Sequence, residues 1–380
     1  MRRIIACAWL AACKSTEDTE RPLDPPIVLP DDPSAPAAPV GYLRFEAEGV
    51  SGTLYYPAPD DVSTALTGIS PLAYVPQSFQ DAIAALTVPE IPVRAQADAP
   101  LRHGEAPWPT VIFSHGFGGY SAQSTDLTTH LASRGYYVIA PEHPSRSLGA
   151  LAPCLLQSTL ADCNLNFAFD PDAPDPSLVD VESALTFVRQ HLAENDESAF
   201  VDLETLGVFG HSAGGGTTTS VANTLTGVDA ALAMAGAGTF TSAIPTAVIG
   251  GSCDAIVPEA GEGGLASAGA TASEGYRALL GAGHRAFADL CEADLGQLGE
   301  DLKTLPDANA FFIDQMLGLA TDGCDGYAPP AELACGDAYL DLAVSYPLLR
   351  DVVWRFFHKH LEGQGGGIDD ATYAELVRLE

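Results

Sequence analysis

From Tyr42 to Glu48, and again from Gly52 to Pro57, apolar and polar residues alternate with the period of half-buried strands. A tight Gly-containing turn between them predicts a hairpin. Residues 60–100 are Pro-rich and irregular, apart from a helical pattern over about Gln77 to Leu86. Beyond that point the pattern changes. Pro109–Ser114 is a short continuous apolar run, the mark of a strand buried on both faces, and a helical pattern follows from about Ser121 to Arg134. Tyr136–Ala140 predicts another buried strand, Leu178–His191 a helix, and Thr205–Phe209 a strand that runs into a helix reaching about Leu225. Val228–Met234, Thr246–Ile249 and Tyr276–Leu280 predict three more strands. Pro347–Leu361 reads as a closing amphipathic helix with its Pro in the first position, where a missing N–H costs nothing. Strands that alternate with helices predict an α/β domain: a mainly parallel sheet covered on both faces, edged by the antiparallel hairpin. Two stretches, 144–176 and 292–346, exceed an ordinary connection and are expected to stand over the sheet edge where ligands bind. The residues after Gly-Gln-Gly-Gly-Gly367 are expected to form a loosely attached tail over 366–380.

Composition narrows the class. With 380 residues, 47% hydrophobic and only 18% charged, the chain can bury a large core, assigned here to one domain over 41–365. Seventeen Lys and Arg oppose 50 Asp and Glu, for a formal net charge of −33, which repels phosphate backbones and argues against a nucleic-acid partner. No apolar run approaches the length that spans a bilayer. At the N-terminus, Met1-Arg-Arg3, a short apolar stretch and Leu10-Ala-Ala-Cys13 resemble a bacterial lipoprotein signal over 1–12, with Cys13 as the lipidated residue. The competing reading is a chance apolar start, or a start codon placed too far downstream. Residues 13–40, rich in Pro, Asp and Ala, suit a solvated tether. These features point to a secreted protein or an outer-membrane lipoprotein of the bacterial envelope, anchored by Cys13 and taken as a monomer. Setting aside Cys7 and Cys13, six cysteines remain: Cys154, Cys163, Cys253, Cys291, Cys324 and Cys335. An even number in an exported chain reads as disulfides, and no C-x-x-C pair suggests structural zinc. Local proximity favours Cys154–Cys163 and Cys324–Cys335, which leaves Cys253–Cys291.

The candidate chemistry gathers at the predicted strand ends. Gly210-His-Ser-Ala-Gly214 is the only G-x-S-x-G in the chain, with an apolar strand before it and a helix after it. Such a turn holds the Ser in a strained conformation with its hydroxyl exposed, so Ser212 is the candidate nucleophile. A serine hydroxyl needs a base, and the base needs an orienting carboxylate. Asp254 follows the strand that ends at Gly251, and His284 follows the next one, in the order that a G-x-S-x-G turn requires. Asp229 begins a strand, and Asp289 and Asp294 lie beyond His284; of these Asp289 is the reserve for the acid. His211 should point away from the Ser hydroxyl, and His358 and His360 are two apart on a helix, a poor metal pair. His143, after an earlier strand, is expected to line the pocket. His115-Gly-Phe-Gly-Gly119 ends the first buried strand and supplies an oxyanion loop, with N–H donors expected from Phe117 and from Ala213. Phe117 is also a candidate substrate contact.

These segments carry a resemblance. Through Asp98-Ala-Pro-Leu101, Val111-Ile-Phe-Ser-His-Gly-Phe-Gly-Gly119, Gly210-His-Ser-Ala-Gly-Gly215 and Gly281-Ala-Gly-His-Arg-Ala-Phe287, the chain resembles bacterial α/β-hydrolases of the platelet-activating-factor acetylhydrolase and dienelactone-hydrolase-like group. It is also similar to bacterial cutinases that hydrolyse polyesters such as poly(ethylene terephthalate), in the nucleophile and oxyanion segments and in Cys253-Asp254. The resemblance implies an α/β-hydrolase fold and hydrolysis of carboxylic esters, small or polymeric, with no metal and no cofactor. Some of the similar polyesterases have a disulfide at the place of Cys253 and Cys291. The chain departs from them at Ala235-Gly-Ala-Gly238, where those enzymes carry a substrate-stacking Trp, and Ser212 departs from the Cys nucleophile of dienelactone hydrolases. A hydrolase-like binding protein without turnover is the rival from another class.

Overall fold

A computed structural model describes residues 22–47, 49–156, 175–261, 264–289, 295–310, 312–313 and 339–379. Its strands are β1 Val40–Ala47, β2 Val50–Pro57, β3 Thr67–Ile69, β4 Ile91–Val93, β5 Gln96–Ala97, β6 Trp108–Ser114, β7 Tyr137–Pro141, β8 Val201–His211, β9 Val228–Met234, β10 Thr246–Gly251, β11 Tyr276–Leu279 and β12 Leu376–Leu379. Its helices are α1 Gln77–Ala82, α2 Thr125–Ser133, α3 Leu148–Leu155, α4 Pro176–Glu194, α5 Ala213–Thr224, α6 Leu265–Gly269, α7 Leu295–Lys303 and α8 Leu342–Glu362. Ten strands form one sheet in the order β12-β11-β10-β9-β8-β6-β7-β2-β1-β5, and β3 pairs with β4 apart from it. From β11 to β7 every neighbouring pair is parallel, while the β1–β2 hairpin joins β7 antiparallel, as the hydrophobic pattern predicts.

The sheet separates two apolar layers. Phe113, Phe209, Leu232 and Ile249 face Leu127 and Leu131 of α2 and Leu349, Val353 and Phe356 of α8. Ile112, Val208, Ala231 and Val248 face Val181 and Val188 of α4, Val221 of α5 and Leu265 of α6. The continuous apolar runs of the central strands follow from this, since both faces are covered. The chain leaves β6 toward β7 on one side and returns to β8 on the other. The crevice at the C-terminal ends of β6 and β8 is therefore a topological switch point.

Several expectations are corrected. The last helix begins at Leu342, where the Asp341 side chain accepts from the Ala343 N–H at 2.8 Å, and Pro347 lies inside it. The buried stripe of Leu348, Leu349, Val352 and Phe356 outweighs the one backbone bond that the Pro removes. The C-terminal residues are no loose tail: β12 pairs antiparallel with β11, and Arg277 forms an ion pair with Asp370 at 2.5 Å. The described part of the linker has no regular structure but lies against the domain. Buried Arg102 donates to the Pro25 carbonyl, and Arg134 donates to the carbonyls of Asp32 and Ala35. The helix at Gln77 stops at Ala82, short of Leu86, and α3, α7 and the β3–β4 pair arise in stretches whose sequence shows no clear period. Among the described residues, no helix is long and apolar enough to cross a membrane.

Candidate active site

Strand β8 ends at His211, α5 begins at Ala213, and Ser212 between them has φ 58° and ψ −121°. A non-glycine residue rarely adopts a positive φ, and here the packing imposes it. A Cβ on Gly214 would sit 1.9 Å from the Ser114 carbonyl oxygen, and one on Gly236 would sit 2.1 Å from that of Ser212. The elbow is thus wedged between the ends of β6 and β9, and the Ser212 N–H is held by the Met234 carbonyl at 2.9 Å.

The three residues singled out for the reaction come together. His284 Nε2 lies 2.9 Å from Ser212 Oγ, and His284 Nδ1 lies 2.7 Å from Asp254 Oδ2. The other carboxylate oxygen of Asp254 accepts the N–H groups of Ile256 and Val257 at 2.9 and 2.8 Å, which fixes the plane of the carboxylate. Since a carboxylate only accepts, Nδ1 carries the ring proton and Nε2 presents its lone pair to the serine. Asp289, the reserve acid, is used elsewhere: it accepts from Thr125 Oγ1 and from the Asp126 N–H at the start of α2. Asp229 holds the Leu206 N–H at the other end of the sheet.

The loop after β6 passes over Ser212. Its Gly116 N–H donates to Gln123 Oε1 at 3.0 Å, and its Gly118 N–H to the Arg146 carbonyl at 2.8 Å. These two bonds bracket Phe117. Gly118 has φ +70°, a conformation that suits glycine and lets the chain turn back at once. Phe117, Ser212 and His284 line a cavity of about 270 Å³. Its walls are otherwise mainly apolar, with Leu72, Val75, Phe79, Leu148, Leu155 and Leu302 among them. The roof comes from residues 71–83, α3 and α7, where Val75, Phe79, Ala152 and Leu302 pack into a cluster of their own. Of the two long stretches, the described parts α3 and α7 stand over the sheet edge.

His143 does not line this cavity, which corrects its assignment as a substrate contact. It is fully buried, with Nε2 2.8 Å from Ser114 Oγ and Nδ1 3.0 Å from Asp180 Oδ2. Its position after β7 is right, but its side chain turns into the protein toward polar partners on β6 and α4. Arg146 completes the group, donating to Ser114 Oγ at 2.9 Å, to the His115 carbonyl at 3.0 Å and to Thr217 on α5 at 3.0 Å. Burial and the Arg146 charge pull the His143 ring far below the usual histidine range, and they bring His115 down to about 3. Gln123, Arg146 and Asp180 carry no local motif. Their part depends on residues tens of positions away.

Cys154 and Cys253 are both disulfide-bonded. Cys13, Cys163, Cys291, Cys324 and Cys335 lie outside the described residues, so the proposed pairings and the lipidation site do too. Among the described residues, no group of three or more His, Cys, Asp or Glu is placed to hold a metal ion.

A parallel-centred sheet covered on both faces, a serine elbow at its switch point, and a carboxylate and a histidine after β10 and β11 define an α/β-hydrolase fold. A solved structure described as ferulic acid esterase from Streptomyces cinnamoneus matches 91% of this chain and 98% of its own, with a TM-score of 0.56 and 21% identity. Residues 43–162 match the sequence family described as platelet-activating factor acetylhydrolase, isoform II. The platelet-activating factor acetylhydrolase of Gallus gallus is 29% identical over 118 residues, 28% of this chain and 28% of that protein. The chain thus matches little more than a quarter of that relative's length. The family match contains the His115–Gly119 loop, while Ser212, Asp254 and His284 lie beyond it.

Proposed function

We propose that this protein is a serine hydrolase of carboxylic esters, acting on short-acyl lipid or small esters through an acyl-enzyme on Ser212. The observation that carries the reading is the unbroken line Asp254–His284–Ser212, opening onto an apolar cavity beside a loop of bracketed N–H groups. Ser212 Oγ attacks the ester carbonyl while His284 Nε2 takes its proton. Asp254 keeps the Nδ1 proton directed and offsets the imidazolium charge. The carbonyl oxygen, now negative, accepts from the N–H groups of Phe117 and Ala213, an interaction worth a few kcal/mol because it strengthens only as charge develops. The tetrahedral species expels the alcohol, which receives the proton from Nε2. A water then attacks the acyl-enzyme by the same steps, and Ser212 is restored.

The roof favours small esters over polymer. Residues 71–83, α3 and α7 wall in the cavity beside Ser212, which leaves a pocket rather than an open groove for the acyl group. Export to the bacterial envelope, with an anchor at Cys13, belongs to the same reading, and the disulfide-bonded state of Cys154 and Cys253 supports it.

A panel of p-nitrophenyl esters from acetate to palmitate, run beside polyester film, tests the substrate class. Turnover should be fastest on the short and medium esters; release of soluble product from film at a comparable rate would favour the cutinase-like alternative. An organophosphate should label Ser212 stoichiometrically, because labelling requires an activated hydroxyl. No labelling and no turnover would mean a hydrolase-like binding protein.

A further inference from the structure

A chain of hydrogen bonds that none of these steps uses runs beside the reacting atoms in the cavity wall. The Gly116 N–H donates to Gln123 Oε1 at 3.0 Å, Gln123 Nε2 lies 2.7 Å from His211 Nδ1, and His211 Nε2 lies 2.8 Å from the His284 carbonyl oxygen. Each link dictates the next. Gly116 can only donate, so the Gln123 oxygen faces it and the amide nitrogen faces His211. That nitrogen only donates, so His211 Nδ1 accepts and the ring proton sits on Nε2, against a carbonyl that only accepts. The assignment closes without a conflict. Gln123 is 2% exposed and His211 4%, and both contribute to the wall of the cavity beside Ser212.

We propose that Gln123 and His211 are positioning residues that set the distance between the oxyanion loop and the catalytic imidazole. One end of the relay holds the residue before Phe117; the other holds the backbone of His284 itself. The inference rests on the acyl-transfer reading above. The oxyanion loop follows β6 and His284 follows β11, and three strands lie between these two in the sheet. No bond of the sheet joins the two loops directly. Yet acyl transfer needs the oxyanion donors and the base arranged around one carbonyl group, where a shift of about 1 Å can cost roughly a hundredfold in rate. The relay also requires a neutral His211. Burial and the neighbouring His284 hold its pKa well below the usual range, with Arg285 adding to the effect, and the Phe287 ring stacks beside it.

Gln123→Glu is the discriminating variant. Its carboxyl group matches the amide in shape and accepts from Gly116, but it has no N–H for His211. While one proton is shared between the introduced carboxyl group and His211, as a carboxylic acid or as an imidazolium, every link survives. When that proton leaves, either a carboxylate oxygen meets the Nδ1 lone pair or Nε2 meets the His284 carbonyl without a proton. Gln123→Glu should therefore fall in kcat as pH rises, a descending alkaline limb that the wild type lacks, at an unchanged fold by near-ultraviolet circular dichroism. His211→Gln, which accepts and donates in the same order, should keep more activity than His211→Phe, which keeps only ring volume. His211→Phe should lose about ten- to a hundredfold in kcat with little change in KM, and lose affinity for a trifluoromethyl ketone in parallel. Parallel pH profiles for Gln123→Glu and wild type from about pH 5 to 9 would overturn the proposal, as would His211→Phe turning over like the wild type. In either case a wild type that takes the organophosphate on Ser212 leaves the acyl-transfer reading standing; a wild type that does not take it sinks that reading first.

Discussion

The sheet edge carries two Ser–His–Asp alignments, and distance alone does not separate them. Ser212–His284–Asp254 spans 2.9 and 2.7 Å; Ser114–His143–Asp180 spans 2.8 and 3.0 Å. Their surroundings differ. Ser212 stands on a strained elbow in the wall of a cavity, whereas Ser114 is fully buried at the end of β6 and its hydroxyl accepts from Arg146. The Arg146 charge beside His143 opposes an imidazolium there, and burial pushes its Asp180 partner up to about 6, a weak source of compensating charge. The sealed alignment braces the loop that carries Phe117; the open one is placed to react. A triad is thus defined by access and by the charge that its surroundings accept, and not by its hydrogen bonds alone.

Exchanging the serines gives the largest contrast. Ser212→Ala should lower ester turnover by about a thousandfold or more, and Ser114→Ala by less than about tenfold, in protein of wild-type circular dichroism. Equal losses would erase the distinction between the two alignments. The acids come next. Asp254→Asn should cost about a hundredfold or more in kcat because it disturbs the ring proton of His284, while Asp180→Asn should leave kcat within about tenfold of wild type.

Acid stability sharpens the comparison from another side. Burial holds His115 and His130 down to about 3, and it holds His143 and His211 well below the usual range. At these four rings the folded protein binds fewer protons than the unfolded chain below about pH 6.5, so their contribution to stability is full above that value and is lost as pH drops toward 3, partly offset by Asp180. By about pH 5 each such ring costs the fold up to about 2 kcal/mol. Urea midpoints should decline steadily from about pH 7 to 5; a flat profile would mean that these rings take up protons in place. The smallest effect concerns Cys253, which precedes Asp254, the proposed catalytic acid. If its partner is Cys291, peptide mapping of non-reduced protein will show it, and a Cys253→Ser/Cys291→Ser variant should lose up to about 3 kcal/mol together with a modest part of kcat. A bridged wild type with an unaltered variant would leave the clamp without a role.

Ser212, Asp254 and His284 are legible in the chain because each rests on a local rule. A glycine-flanked serine joins an apolar run to a helix, and Asp254 and His284 follow two later parallel strands, β10 and β11, in order. The two-sided burial of β6, β8, β9 and β10 is legible for a similar reason, since a continuous apolar run needs cover on both faces. Pro347 misled because its backbone cost is local, whereas the stripe from Leu348 to Phe357 stabilises the helix through contacts with β8 and β9. The four residues of β12 are too few to show a period and become a strand only because β11 offers an unpaired edge. The same holds for His143, Gln123, Arg146 and Asp180. A side chain's type and its place after a strand follow from sequence, but its partners sit on elements up to 88 residues away. Whether a histidine meets substrate or a buried serine depends on which of those elements packs beside it, and that is settled only when the sheet has closed its two layers.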